Sequence, residues 1–504
     1  MMKRRNSVLR NGYRDERGQM LPILAFIMIT FLGFAGLVVD VGHAYFCYRL
    51  LLNSTNAAAM AGAQGLSQSG TQALTNAQAY SSQSGGANAY GNLNITNAYF
   101  KLGCVTSTVG STIPCVSTGG STANAIQVVQ TASVPTSFMR LFGFNSINIS
   151  ATGTALMGAG TTKAYNLAVV LDTTASMNTN DPNCGKNVTR LQCALSGVQT
   201  LLKTISPCSS SGCGTLGSDG NYTNAIDRVS LFTFPEPSSS TQAANDYNCS
   251  GKNPSIVPYT YPTANATTYA QTSGNPTYQI TGFVSNYQSL NSSQAPTGSL
   301  NTSTGSSGSP VALAVGASSS CGSMGAPGGE GTYYASVIYA AEGALLAEQA
   351  AETSANQTVQ NALIIISDGA ATACYNNYKN CGSKNQLSAT GLTNKGTYPS
   401  YVSECGQAVQ AAQDATNAGI TVYAVAYGSQ TSGCTTDTGT YASPCATMKG
   451  MASNPNTTFY SDAGSDSAGC SSSLAPADLG SIFKAIGGQL TAARLIPNNS
   501  FPSS

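Results

Sequence analysis

Charge is what this 504-residue chain has least of: Asp, Glu, Lys and Arg together make up 8% of it, and the net charge is +1. So sparse and balanced a surface argues against tracking a phosphate backbone, and no nucleic-acid partner is expected. Histidine is nearly absent as well. The single one, His43, lies at the edge of the N-terminal hydrophobic run, so a serine or cysteine triad would lack its base. The glycine-rich stretch 325–331 carries no lysine, and no Gly-x-x-x-x-Gly-Lys loop occurs elsewhere, so nucleotide hydrolysis has no support. No Cys-x-x-Cys pair points to a zinc ribbon or a redox motif. Together these absences point to a binding protein and not to an enzyme.

Cysteine itself is plentiful. Fifteen residues in one chain fit an oxidising compartment and disulfides better than the cytosol. Cys47 sits beside the hydrophobic run, which leaves fourteen beyond it. Close pairs suited to local loops are Cys104 with Cys115, Cys208 with Cys213, Cys374 with Cys381, and Cys434 with Cys445, although connectivity does not follow from spacing.

The long apolar run is Met20 to Val39, free of charge and about the 20 residues a helix needs to cross a bilayer. Lys3, Arg4, Arg5, Arg10, Arg14 and Arg17 precede it and only Arg49 follows closely, so the N-terminus is expected in the cytoplasm and the bulk of the chain on the export side. A cleaved signal peptide is the alternative, disfavoured by the length of the run and the lack of a nearby Ala-x-Ala site. Pro22 falls in the first turn, where a missing N–H is tolerated. The following stretch, Ala44 to Leu66, is rich in Ala and Leu and continues the helix.

The segment RGQMLPILAFIMITFLGFAGLVVDVGHAYFCYRLLLNSTNAAAMAGAQGL resembles the N-terminal part of TadE/TadG-like Flp pilus-assembly proteins. Arg17-Gly18, Asp40-Val41-Gly42 and the Ala-rich tail carry the likeness. Prepilin-like members have Glu at the fifth position after the processing Gly, whereas Ile23 stands there in this chain, so the resemblance is to the TadG-like branch and processing after Gly18 is not expected. It implies a single-pass protein of the bacterial inner membrane, residues 1–17 forming a cytoplasmic basic tail and 18–65 the anchor helix.

Residues 66–160 alternate polar and apolar in AIQVVQTASV and SINISATGTAL, the pattern of half-buried strands, and are expected to form a small β-rich region. A plain spacer is the alternative. The phrase VPTSFMRLFGFNSINISATGTAL is also similar to the segment after the anchor in TadG-like proteins.

From Tyr165 onward, buried strand-like runs (YNLAVVLD, RVSLFTF, ALIIISDG, ITVYAVAYG) alternate with helical stretches such as RLQCALSGVQTLLKTI. The fold class is therefore α/β, a doubly wound, mostly parallel sheet of Rossmann type over residues 163–490, with 491–504 as a tail. In such sheets ligands bind beyond the carboxyl ends of strands. There stand Asp172-Thr173-Thr174-Ala175-Ser176 and Ser367-Asp368-Gly369, oxygen ligands suited to a hard divalent cation. The arrangement resembles the von Willebrand factor A fold and its metal ion-dependent adhesion site, Asp-x-Ser-x-Ser with a distant Thr and Asp. Asp172, Thr174 and Ser176 match the triplet, with Thr for the first Ser; Thr332 and Asp368 match the distant pair. The resemblance implies Mg²⁺, with Mn²⁺ or Ca²⁺ as alternatives, and an open coordination position that accepts an acidic side chain from a protein partner. The alternative is that these residues only cap helices.

Residues 235–330 exceed an ordinary connection and are expected to be an insertion near the site face. Within it YQITGFVSNYQSLN and PVALAV are expected as strands, and SSQAPTGSLNTSTGSSGSP as a flexible linker. Cys249 and Cys321 are candidates to tether it. Two functions fit: an anchored envelope component of Flp pilus assembly, and a surface adhesin for an external ligand outside any pilus system.

Overall fold

The computed structural model describes residues 20–66, 70–91, 93–105, 116–118, 121–160, 164–208, 212–235, 278–305, 307–319, 323–326, 331–355, 357–367, 371–373, 392–428, 433–437, 443–462, 472, 478–490 and 492–501.

Helix α1 (Met20–Gly65) has 46 residues, a length of roughly 69 Å at 1.5 Å per residue. That is more than twice the hydrocarbon thickness of a bilayer. Its two halves behave differently. The first half is apolar and outward-facing, with Phe26 74% and Phe31 72% exposed, whereas from Cys47 and Leu51 onward one face is buried. Among the described residues α1 is the one helix long and apolar enough to cross a membrane.

The buried half lies on an antiparallel sheet. Helix α2 (Gly70–Ala79) packs beside it, and the strands are β1 (Asn94–Gly103), β4 (Ala125–Pro135), β5 (Ser146–Gly160) and β13 (Ala492–Ile496), in the order β1-β4-β5-β13; β2 (Val116–Thr118) and β3 (Ser121–Ala123) form a small hairpin. Alternate residues of β4, Ile126, Val128, Ala132 and Val134, face inward, as the two-residue period of a strand requires. The inward Gln130 is satisfied by donating to Thr55 Oγ1 at 3.0 Å and accepting the Ser82 N–H at 2.9 Å. Small residues allow the close approach: a Cβ on Gly62 would lie 2.7 Å from Ile126 Cδ1. Residues 492–496, expected as part of a tail, are thus the fourth strand of this sheet, because β13 pairs with β5.

The second sheet is parallel throughout, in the order β12-β11-β10-β6-β7. Its elements are β6 (Ala164–Asp172), helix α3 (Arg190–Thr204), β7 (Arg228–Phe234), β8 (Gln288–Leu290), β9 (Pro296–Leu300), α4 (Pro310–Ala314), α5 (Tyr334–Ser354), β10 (Val359–Ser367), α6 (Glu404–Asn417), β11 (Ile420–Ala426), α7 (Pro444–Met451), β12 (Phe459–Ser461) and α8 (Leu479–Leu490), of which β8 and β9 pair only with each other. Both faces are covered, which is why the strands read as unbroken apolar runs. Leu195 and Val198 of α3 and Ile482 and Phe483 of α8 fill one side. Val337 and Ile338 of α5, Ala408 and Ala412 of α6 and Met448 of α7 fill the other. A capping box starts α3: Thr189 Oγ1 accepts the Gln192 N–H and Gln192 Oε1 accepts that of Thr189. The expected α/β class with a parallel sheet is what the structure has.

Three further expectations are corrected. Residues 292–310 contain a strand, β9, paired with β8. Their Ser/Thr/Asn side chains bond the backbone, as when Asn301 Nδ2 donates to Asn286 O at 3.0 Å and Ser307 O at 2.9 Å, so a composition typical of linkers supports local order. PVALAV begins a short helix, α4, because Ser309 caps it and Pro310 occupies its first turn. Cys434 pairs with Cys405 and not with Cys445, since the sheet order brings the loop after β11 over the start of α6. Cys208–Cys213 is present as expected, and Cys184–Cys193 was not foreseen. Cys115, Cys249, Cys321, Cys374, Cys381 and residues 236–277 lie outside the described residues.

Candidate functional site

Strand β6 lies between β7 and the middle strand, β10. Its neighbour β7 follows it in sequence on one side, while β10 lies on the other, so the connections diverge between β6 and β10. At such a switch point the loops leave the carboxyl ends in opposite directions and open a crevice. The last residues there are Asp172 and Ser367, from adjoining strands in register at Leu171 and Ile366.

Asp172 is fully buried, and a buried carboxylate is costly unless its lone pairs are met. They are met locally. Oδ1 accepts the Thr174 N–H at 2.8 Å and the Thr174 hydroxyl at 2.6 Å; Oδ2 accepts the Ser367 hydroxyl at 2.5 Å. Thr174 Oγ1 lies 2.8 Å from Ser176 Oγ, on the 3₁₀ turn Ala175–Asn178. Thr173 points the other way, to Thr233 Oγ1 at 2.6 Å and Phe234 O at 3.2 Å, tying the end of β6 to β7. Asn178 Nδ2 holds the turn to Ala326 O at 2.6 Å.

The structure therefore brings together Asp172, Thr174 and Ser176. Thr332 is buried just ahead of α5, its carbonyl accepting the N–H groups of Thr372 and Ala373. Two residues on, the Tyr334 hydroxyl lies 2.9 Å from Ser367 Oγ, so the loop carrying Thr332 is linked through Ser367 to Asp172. Asp368 lies outside the described residues. Sequence reasoning placed Ser367 among the strand-end oxygens but not in the set of five ligands; it missed Tyr334, whose position gave no signal.

The donor set is a carboxylate with clustered hydroxyls, which fits Mg²⁺, Mn²⁺ or Ca²⁺ and not a soft metal. Cys405, Cys434 and Asp437 also cluster, but the two sulfurs are bonded to each other and offer no thiolate. Asp437 instead accepts the N–H groups of Gly406 and Cys405, at 2.8 and 3.2 Å, at the start of α6. A second acidic group lines the same sheet edge: the Tyr427 hydroxyl donates to Asp181, and both oxygens of Asp462 accept the Gly428 N–H. Burial raises the Asp462 carboxyl above its usual value, against the lowering effect of that N–H.

Comparison with known proteins bears on the anchor and the first sheet. A family described as putative Flp pilus-assembly TadE/G-like matches residues 18–65, and one described as putative Tad-like Flp pilus-assembly matches residues 57–155. Residues 18–155 are thus similar to Tad-like Flp pilus-assembly families. No curated protein matches. Among solved structures, the pilus adhesin SpaC from Lactobacillus rhamnosus GG is similar at 13% identity and a TM-score of 0.33, over 79% of this chain and 34% of that one. Its open conformation gives 14% and 0.32, over 79% and 33%. Proximal thread matrix protein 1 from the mussel byssus gives 11% and 0.29, over 68% and 49%. The chain thus spans a third to a half of the length of these proteins, and similarity at this level assigns neither fold nor function.

Proposed function

We propose that this chain is an envelope component of Flp pilus assembly, anchored in the inner membrane by α1 with its N-terminus in the cytoplasm. In this reading the C-terminal domain is von Willebrand factor A-like. It binds a protein partner through a divalent cation, Mg²⁺ first, held by Asp172, Thr174 and Ser176 with Thr332 and Asp368. The role is binding, not catalysis. The observation that carries it is the convergence of Asp172, Thr174, Ser176 and Ser367 oxygens at the carboxyl ends of β6 and β10. A bound cation would replace hydroxyl-to-carboxylate hydrogen bonds with oxygen-to-metal contacts, and an acidic side chain of the partner would complete its shell.

The test is calorimetric titration of Mg²⁺ and Mn²⁺ into the full oxidised chain in detergent, beside Asp172→Ala. The full chain is needed because β13 of the C-terminal segment pairs with β5. Saturable binding that disappears in Asp172→Ala supports the site. A folded wild-type chain that shows no saturable binding rejects the cation, and with it the metal-bridged partner.

A further inference from the structure

Hairpin tips are normally polar, because turns face water and favour Gly, Asn, Asp and Ser. The tip between β4 and β5 breaks that rule. It reads PTSFMRLFGF over residues 135–144, and Leu141 is 81%, Phe142 71% and Phe144 60% exposed. Nothing in the two sheets covers these side chains.

Their position explains the exception. The tip lies against the outward-facing half of α1: a Cβ on Gly36 would come within 2.6 Å of Phe138, and Phe142 and Phe144 line an apolar groove with Ile29, Gly33 and Leu37. Ile29 is roughly 16 Å along the helix from Asp40 at 1.5 Å per residue, comparable to half of a hydrocarbon core about 30 Å thick. We infer that this tip enters the leaflet facing the bulk of the chain and rests among its acyl chains beside α1, giving the protein a second membrane contact. The inference rests on the reading of α1 as a membrane span.

Irregular backbone survives in lipid only when its polar groups are satisfied within the protein. Asp40 provides for three of them, accepting the Ser137 N–H on Oδ1 at 2.8 Å and those of Phe138 and Met139 on Oδ2 at 2.8 and 2.6 Å. The N–H groups of Leu141, Gly143 and Phe144 go to carbonyls of Phe138, Arg140 and Met139. Gly143 makes the return possible, with φ of 90°. Exposed Arg140 has a stem long enough to carry its guanidinium to lipid phosphates while the stem stays in apolar surroundings. One helix alone leaves the tilt of the attached sheet relative to the bilayer loosely set; a wedge locked to it through Asp40 restricts that tilt.

The chain contains no tryptophan, so a single introduced one reports its own surroundings. Full-length Leu141→Trp, Phe142→Trp, Phe31→Trp and Tyr99→Trp chains would each be placed in phosphatidylcholine–phosphatidylglycerol vesicles. Each would be tested with acyl-brominated lipids and with aqueous iodide. All four positions are exposed, so folding should survive the changes. The expected result is blue-shifted emission and loss of most of it to brominated lipid at 31, 141 and 142, with position 99 quenched by iodide alone. If position 31 responds to brominated lipid while 141 and 142 respond to iodide, or to neither quencher because another protein surface covers them, the wedge is wrong and the span stands. If position 31 does not respond to brominated lipid, the span itself is wrong and the wedge falls with it.

Discussion

Ser367 donates its hydroxyl hydrogen to Asp172 Oδ2 at 2.5 Å, across 195 residues of chain. The bond joins the ends of two adjoining parallel strands and holds the carboxylate with one oxygen toward β10 and the other toward Thr174. Ser367→Ala should weaken Mg²⁺ or Mn²⁺ binding by roughly 10- to 100-fold, since a hydrogen bond to a charged group contributes roughly 1.5–3 kcal/mol. Asp172→Ala should abolish it. Titration calorimetry distinguishes the two, and equal effects would argue against a supporting role for Ser367.

Arg228, at the start of β7, forms ion pairs with Glu348 at 3.1 Å and with Glu352. Glu352 also accepts from Asn166 Nδ2 at 2.7 Å. With Glu352 buried, removal of the guanidinium leaves a carboxylate short of a partner. Arg228→Ala should cost about 3 kcal/mol, as breaking buried pairs does. Urea unfolding near neutral pH measures it; a loss below about 1 kcal/mol, the range of exposed pairs, would mean that solvent reaches the network.

Burial, and after it the charge of Asp414, push the Glu342 carboxyl from 4.5 up to about 7. The folded protein therefore keeps a proton that the unfolded chain has released, and stability falls as pH rises between about 4.5 and about 7. Glu342→Gln should raise the melting temperature above pH 7 and change it little near pH 5. Melting curves at the two pH values check this, and an equal shift at both would assign the effect to packing.

The Cys405–Cys434 disulfide fastens the loop after β11 to the first turn of α6, where Asp437 accepts two N–H groups. Closing a loop of this size is worth about 3 kcal/mol. Cys405→Ser with Cys434→Ser should lose roughly that amount and expose the Cys405 and Gly406 amides to hydrogen exchange. Unchanged protection would show that Asp437 suffices to hold the loop.

The apolar run from Met20, the alternating residues of β4 and the unbroken strands of the second sheet are all visible along the chain. Periodicity and composition are local properties, and they decide whether a segment is a membrane helix, a half-buried strand or a fully buried one. Asp172, Thr174 and Ser176 were equally legible, because two residues of separation on one turn make them neighbours whatever the rest of the chain does. Tertiary structure alone decided what depends on the order of strands. The meeting of Ser367 and Tyr334 at Asp172, the exchange of Cys445 for Cys405 as partner of Cys434, the return of residues 492–496 to β5, and the capture of the β4–β5 tip by Asp40 each join residues far apart in sequence. Spacing carries no signal for such contacts, because they form only where burial of two separate apolar faces has already chosen which segments lie side by side.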